Sequence, residues 1–187
     1  AVRDFDQTLR KVGAFSGLPP PKAVGEEGHR RACVTDPEGN WVEIHECDPV
    51  TLIAGASANI VRPEVPAVVR SMRLSVPSLA DARQAFVEAM GLQVVEDFQL
   101  HTAADEKLWG LPRAKCSSLV LRGANFLVEL VQYESPEPAP WPPGYSLADQ
   151  GIMNIALGYR ESGDYGRSFA QATRQGMRAN GKVLDAG

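Results

Sequence analysis

Residues 71–96 decide the fold, and they read SMRLSVPSLADARQAFVEAMGLQVVE. Apolar and polar side chains alternate over residues 72–76, which predicts a β-strand. Ser78 is followed three positions later by an acidic residue, the spacing of a capping box, and apolar side chains then recur every three or four positions. This pattern predicts a helix over about residues 79–90, and Gly91 is well placed to end it.

Three further strands are predicted after this helix, because short runs of β-forming residues occupy residues 92–96, 117–121 and 126–132. Residues 68–133 therefore predict one complete unit with the order strand, helix, strand, strand, strand, abbreviated βαβββ.

The flanking segments repeat parts of this unit. Residues 1–47 predict a helix followed by strands at 14–18, 31–35 and 41–45, which is the C-terminal part of one module. Residues 150–187 predict a strand, a helix and the start of another strand, which is the N-terminal part of a further module.

The repetition can be counted, since Val42-Glu43-Ile44 and Val128-Glu129-Leu130 lie 86 positions apart (129 minus 43). Residues 48–67 predict a linker, and residues 134–149 predict a Pro-rich crossover that cannot join a sheet ladder. We therefore predict an α+β fold of repeated βαβββ modules, with curved mixed sheets and helices on the outer face. Because one module leaves an open sheet edge and half a core, we also predict intermodule pairing or a homodimer.

Composition limits the function. The chain of 187 residues has a net charge of -4 and no basic block, which argues against a nucleic-acid partner. No apolar run approaches the roughly 20 residues of a membrane span. Three cysteines without regular spacing argue against a disulfide scaffold and favour a reduced, cytoplasmic setting.

The sharpest local motif spans residues 35–44 and reads TDPEGNWVEI. Its Pro, Gly and Asn are typical of a tight turn, and the strand that follows alternates between two faces. Together with Arg73-Leu74-Ser75-Val76 and the module order, this motif resembles the vicinal oxygen chelate superfamily of glyoxalases, bleomycin-resistance proteins and extradiol dioxygenases. The resemblance covers nearly the whole chain.

The resemblance implies a cup between paired modules, in which metal-dependent members bind a divalent ion through residues on the first and last strands. On the last strands the matching positions are Glu43 and Glu129, the candidate catalytic and metal-binding residues. On the first strands they are roughly Ser71 and Ile152, where the family has His, Gln or Glu. Serine is a weak donor and isoleucine is none, so the sequence predicts no well-ordered transition metal in the cup of the middle unit.

The remaining candidates would bind a small molecule, for which a guanidinium favours an organic anion with an apolar body. The candidate ligand-binding residues are Arg73, Ser71, Asn154, Leu127, Val131 and Trp109. Trp109 is interpreted either as a lid or as a hydrophobic plug, and a closed Arg73–Glu129 salt bridge is the alternative to an anion site. His29, His45 and His101 are interpreted as surface or loop residues without a role in the site.

Three functions remain open at this point. The first is a metalloenzyme, a lyase, isomerase or dioxygenase in which the metal holds two neighbouring oxygens of a substrate. The second is a metal-free binding protein of the drug-sequestering type. The third is a degenerate dimerisation module, and the fold alone does not decide among them.

Overall fold

The part of the chain that the computed structural model describes comprises residues 1–16, 21–37, 39–53, 67–124, 126–146, 156, 158 and 162–178. Within these residues the fold is α+β, with two β-sheets and three α-helices. The α-helices are α1 (Phe5–Ser16), α2 (Leu79–Arg83) and α3 (Ser162–Arg174).

The first sheet is a hairpin of β1 (Arg31–Thr35) and β2 (Trp41–His45), which pair antiparallel. Asp36 closes the turn, since its side chain accepts a hydrogen bond of 2.8 Å from the backbone N–H of Asn40. Helix α1 covers one face of this hairpin with a core of Phe5, Leu9, Ala32 and Ile44. The side chains of Glu43 and of its alternate neighbours, Trp41 and His45, therefore lie on the opposite face of β2.

The second sheet has four strands in the order β3-β6-β5-β4. The strands are β3 (Ser71–Ser75), β4 (Gln93–Val94), β5 (Lys115–Arg122) and β6 (Leu127–Ser135). Strands β3 and β6 are parallel, whereas β6 with β5 and β5 with β4 are antiparallel. The element order strand, helix, strand, strand, strand that the sequence predicts is therefore present in this segment.

The helix between β3 and β4 begins as the sequence predicts. The Ser78 side chain accepts a hydrogen bond from the backbone N–H of Asp81, and this cap opens α2. The helix continues as a π-helical segment, Gln84–Ala89, which widens its last turns. Gly91 follows with φ +80°, a conformation that glycine adopts without strain.

One face of the four-stranded sheet packs under this helix. Its buried residues are Leu121, Val128 and Leu130, and apolar side chains of β3 and α2 surround them, among them Leu74 and Phe86. These residues alternate along their strands, so their neighbours in sequence point to the opposite face.

The opposite face has an apolar end and a charged end. At the apolar end, Leu127 and Val120 pack with Val50, Ile53 and Leu100. Val50 belongs to a short 3-10 helix, Pro49–Leu52, whose first turn is capped by Asp48. The first residues of the predicted linker therefore contribute to the core of the second sheet.

The two sheets are joined near their edges. Val2 and Ala67 form an isolated β-bridge, and the amino group of Ala1 donates a 2.9 Å hydrogen bond to the carbonyl oxygen of Val68. On the other side, Arg31 of β1 donates a 3.0 Å hydrogen bond to the carbonyl oxygen of Leu100. These contacts place the free face of β2 against the charged end of the four-stranded sheet.

One predicted element is wrong. Residues 14–16 continue helix α1 instead of beginning a strand at 14–18, because the helical spacing of Phe5 and Leu9 extends through Gly13 to the end of the helix. The strand predicted from Lys182 lies outside the described residues, as does most of the strand predicted around residues 153–159, of which only residues 156 and 158 are described.

Candidate functional site

Two carboxylates from different sheets converge on one imidazole. Glu43 lies on β2, Glu129 lies on β6, and His101 lies in the loop between β4 and β5. Nδ1 of His101 is 2.5 Å from Oε2 of Glu129, and Nε2 of the same ring is 2.8 Å from Oε2 of Glu43. The side chains are 3% exposed for His101, 0% for Glu129 and 14% for Glu43, so this bridge is largely shielded from water.

A second histidine lies beside Glu43. His45 is two residues further along β2, so its side chain lies on the same face of the strand as that of Glu43. Nε2 of His45 is 3.4 Å from Oε1 of Glu43, and neither atom makes a hydrogen bond with any described residue. Both atoms are buried, so each carries unused hydrogen-bonding capacity in a shielded place.

Glu129 is also held from the other side. Arg73 lies directly opposite Glu129 in the parallel ladder, with Nε 3.5 Å from Oε2 of the carboxylate. Nη2 of Arg73 donates a 2.5 Å hydrogen bond to Glu106, and the hydroxyl of Tyr133 donates one of 2.8 Å to the other oxygen of Glu106. Nη1 of Arg73 has no hydrogen-bond partner among the described residues.

Trp109 packs against Arg73 and His101. Its ring centroid is 4.3 Å from the guanidinium carbon of Arg73 and 4.8 Å from the ring centroid of His101, in an edge-to-face arrangement. Trp109 and Glu106 belong to the same 3-10 helix, Asp105–Trp109. This single turn therefore supplies a carboxylate and an aromatic ring to the site.

Polar contacts fix the loop that carries His101. The backbone N–H of Thr102 donates a 2.8 Å hydrogen bond to the side chain of Asp105, which forms a tight turn after His101. Arg31 binds the carbonyl oxygen of Leu100 and lies 3.8 Å from carboxylate oxygens of both Asp105 and Glu43. His101 is thus held between two anchored residues.

The charges of the site stabilise one another. Burial lowers the pKa of His101, but the hydrogen bonds with Glu129 and Glu43 outweigh burial and raise the pKa to about 9. Burial raises the pKa of Glu43, but His101 and His45 outweigh it and hold that pKa well below its usual range. Burial and the hydrogen bond to Glu106 raise the pKa of the Tyr133 hydroxyl, so this group stays a neutral donor.

The ligand set that the resemblance implies does not fit this arrangement. Glu43 and Glu129 both direct an oxygen at His101, whose ring lies between them. Ser71 lies opposite Leu127 in the ladder and offers only a hydroxyl. A different set comes together, because ligand atoms of Glu43, His45 and His101 all lie within 4.8 Å of one another.

The structure brings four of the predicted site residues into one network: Glu43, Glu129, Arg73 and Trp109. Leu127 and Val131 lie on the same sheet face, as predicted, but both are fully buried, and Leu127 is covered by Leu100 and Val50. Arg73 is already paired with two carboxylates, and the predicted anion anchor keeps Nη1 without a hydrogen-bond partner among the described residues. Asn154 lies outside the described residues.

The interpretation of His45 as a surface residue is wrong, and His101, which does lie in a loop as predicted, is buried and not outside the site. His45 and His101 are 7% and 6% exposed and belong to the centre of the site. The signal for His45 was present in the sequence, because strand alternation places it on the face of Glu43. No pattern in the sequence signals His101 or the buried Glu106, since both lie in the connection between β4 and β5, whose path depends on tertiary contacts.

Among the described residues, no helix is both long and apolar enough to span a bilayer. Comparison of the chain with protein-family models, with curated proteins and with solved structures gives no match.

Proposed function

We propose that this chain is a protein of the vicinal oxygen chelate type that binds a small oxygen-bearing molecule where its two sheets meet. One observation carries the proposal. Glu43 and Glu129, which lie at matching positions of two similar stretches of sequence 86 residues apart (129 minus 43), converge on the same imidazole. If two βαβββ modules pair, matching residues on their last strands are expected to meet in the cup between them.

The element order supports the modular interpretation. Residues 71–135 run strand, helix, strand, strand, strand, while α1, β1 and β2 match parts of the same unit. The parallel pairing of β3 with β6 places the first strand of the unit beside its last strand. Residues that lie opposite each other in this ladder, such as Arg73 and Glu129, therefore point to the same face of the sheet.

The available groups favour a ligand with oxygen atoms and little charge. Nη1 of Arg73 can donate to an oxygen, and Trp109 offers an aromatic surface next to it. Glu106 and Glu129 already neutralise the guanidinium, so they would repel a multiply charged anion. A neutral molecule or a monoanion with two neighbouring oxygens fits these charges best. The ligand predicted from the sequence, a small organic anion, is compatible with these charges if it carries a single negative charge.

A second candidate, a dimerisation module, is favoured by one observation. The first sheet consists of only two described strands, and Trp41 and Val42 of β2 are 55% and 43% exposed. Exposed apolar side chains on such a strand are typical of a surface that pairs with another copy. Sedimentation of the parent chain and of Trp41→Lys distinguishes this function, since a dimer through β2 would dissociate in the variant.

The proposed function is tested by NMR with catechol as the neutral probe and glycolate as the monoanionic probe. Each probe is titrated into the folded chain once with a chelator and once with Zn²⁺. We expect saturable shifts of the Trp109 indole N–H signal, assigned with Trp109→Leu, and at least tenfold weaker binding in Arg73→Lys. Arg83→Lys is the matched control, because Arg83 pairs with Glu88 on the exposed side of α2. The proposal is wrong if neither probe shifts this signal under either condition.

A further inference from the structure

The donor atoms of Glu43, His45 and His101 already have the spacing of a metal site. Nε2 of His45 is 3.4 Å from Oε1 of Glu43, and Nε2 of His101 is 2.8 Å from Oε2 of Glu43. Metal–donor bonds of about 2.0–2.2 Å place neighbouring donors roughly 3–3.5 Å apart in tetrahedral or octahedral geometry. All three ligand atoms fit within 4.8 Å of one another, so small side-chain rotations bring them to one ion.

Two of these atoms also need a partner. Oε1 of Glu43 and Nε2 of His45 are buried and make no hydrogen bond with the described part of the chain. A buried polar atom without a partner costs about 1–3 kcal/mol, and a carboxylate oxygen costs more. A cation between the two atoms would satisfy both of them at once.

The third ligand is oriented in the way that metal-binding histidines usually are. Glu129 accepts the hydrogen bond of Nδ1 in His101 and thereby directs Nε2 toward Glu43. Such a carboxylate fixes the tautomer of a metal-binding imidazole and strengthens it as a donor. Arg73 in turn holds Glu129, so the orienting carboxylate is itself fixed.

From this geometry we infer that Glu43, His45 and His101 bind a divalent transition metal ion, with Glu129 as a positioning residue. Two imidazoles and one carboxylate favour zinc, iron, cobalt, nickel or manganese over calcium and magnesium, which prefer oxygen donors. Three protein ligands leave coordination positions open for a molecule with two neighbouring oxygens. The idea that such a molecule occupies the open coordination positions rests on the proposed function. Binding of the metal ion itself can be measured without any substrate.

The inferred set differs from the one that the resemblance implies. Glu43 is a ligand in both sets. His45 and His101 take the place of the first-strand ligands, and Glu129 orients His101 instead of binding the ion. The alternative within the same geometry is a protonated His101 whose positive charge takes the place of an ion between Glu43 and Glu129.

The test is a titration of the folded, chelator-treated full chain with Zn²⁺ by calorimetry and with Co²⁺ by visible absorption. We expect one ion per chain and cobalt bands that indicate nitrogen ligands. His45→Gln and His101→Gln should each weaken binding at least 100-fold, and Glu129→Gln should weaken it by about 10–100-fold while keeping the stoichiometry. Circular dichroism melts confirm that each variant is folded.

His29→Gln is the matched control, because His29 is the remaining histidine of the three in the chain and lies 3.5 Å from the Cys47 thiol. Its affinity should equal that of the parent chain. Two results overturn the inference. The first is that the folded parent chain shows no saturable metal binding below millimolar concentrations, which would favour the protonated His101. The second is that metal affinity falls in His29→Gln but not in His45→Gln.

The two proposals fail separately. If the oxygen-bearing probes bind with a chelator present and no metal binds, the metal site is wrong and the small-molecule site stands. If the metal binds and no probe does, the metal site stands and the small-molecule proposal is wrong.

Discussion

The two faces of the four-stranded sheet are built from the same strands, but only the face away from the helix has a charged end. On the helix-covered face, Val128 and Leu130 of β6 pack in an apolar cluster. On the other face, Glu129 lies between these two residues in sequence and is just as buried, yet it pairs with Arg73 and His101. The apolar face has an obvious role in stability, since apolar burial is favourable by itself.

The charged face teaches a different lesson, because burying an ion pair seldom adds net stability over an apolar pair of the same shape. A carboxylate that is 0% exposed on a strand with apolar neighbours is therefore poorly explained by folding alone. The apolar layer has a sufficient explanation in folding, whereas the charged end of the other face is the part that the proposed binding site would explain. Each prediction below tests that contrast.

The largest effect is expected from Glu129→Ala. The substitution leaves His101 and Arg73 buried next to an empty space, and losing one partner of a buried ion pair costs about 3–5 kcal/mol of unfolding free energy. Urea denaturation measures this loss. Glu88→Ala, at an exposed ion pair with a 3.7 Å separation, is the control and should change the free energy by less than about 1 kcal/mol.

On the apolar face, Leu130→Ala should lower the unfolding free energy by about 2–5 kcal/mol, because it leaves a cavity under α2. It should leave the imidazole NMR signals of His101 unchanged, whereas Glu129→Ala should shift them. A shift of the His101 signals in Leu130→Ala would contradict the separation of the two faces.

The next largest effect is expected in the pH dependence of the unfolding free energy, to which the charged face contributes through His101. The pKa of His101 rises from 6.5 to about 9 on folding, so its contribution in the metal-free protein is fully present below about pH 6.5 and is lost as the pH rises through about 9. The contribution is at most roughly 3 kcal/mol. Urea denaturation at pH 6 and pH 10 measures it, and His101→Gln should remove this component while Leu130→Ala retains it.

The smallest effect is expected at the edge of the charged face. Trp109→Leu removes the ring that lies 4.3 Å from the guanidinium carbon of Arg73, a contact that stabilises by about 0.5–2 kcal/mol. Thermal denaturation should show a small decrease in melting temperature. An increase would show that the indole ring adds nothing to the stability of the charged face.

Much of the fold followed from local patterns, whereas half of the site did not. The helix after Ser78 and the strands of the hairpin were predictable because capping and alternation are encoded within a few residues. Glu43 and Glu129 were identified as the positions that match the last strands of the family resemblance, and alternation within each strand predicted which face each would occupy. His101 could not be found, because the contacts that bury it come from residues 28 and 58 positions away in sequence.

The segment His101–Trp109 has a consequence for how this protein can diverge. It contributes an imidazole, a carboxylate and an indole to the site, yet it donates nothing to the four-stranded ladder. A single insertion, deletion or recombination event between β4 and β5 could therefore exchange three site residues at once and leave the scaffold intact. Replacement of this one segment would change the chemistry of the proposed site without rebuilding the sheets.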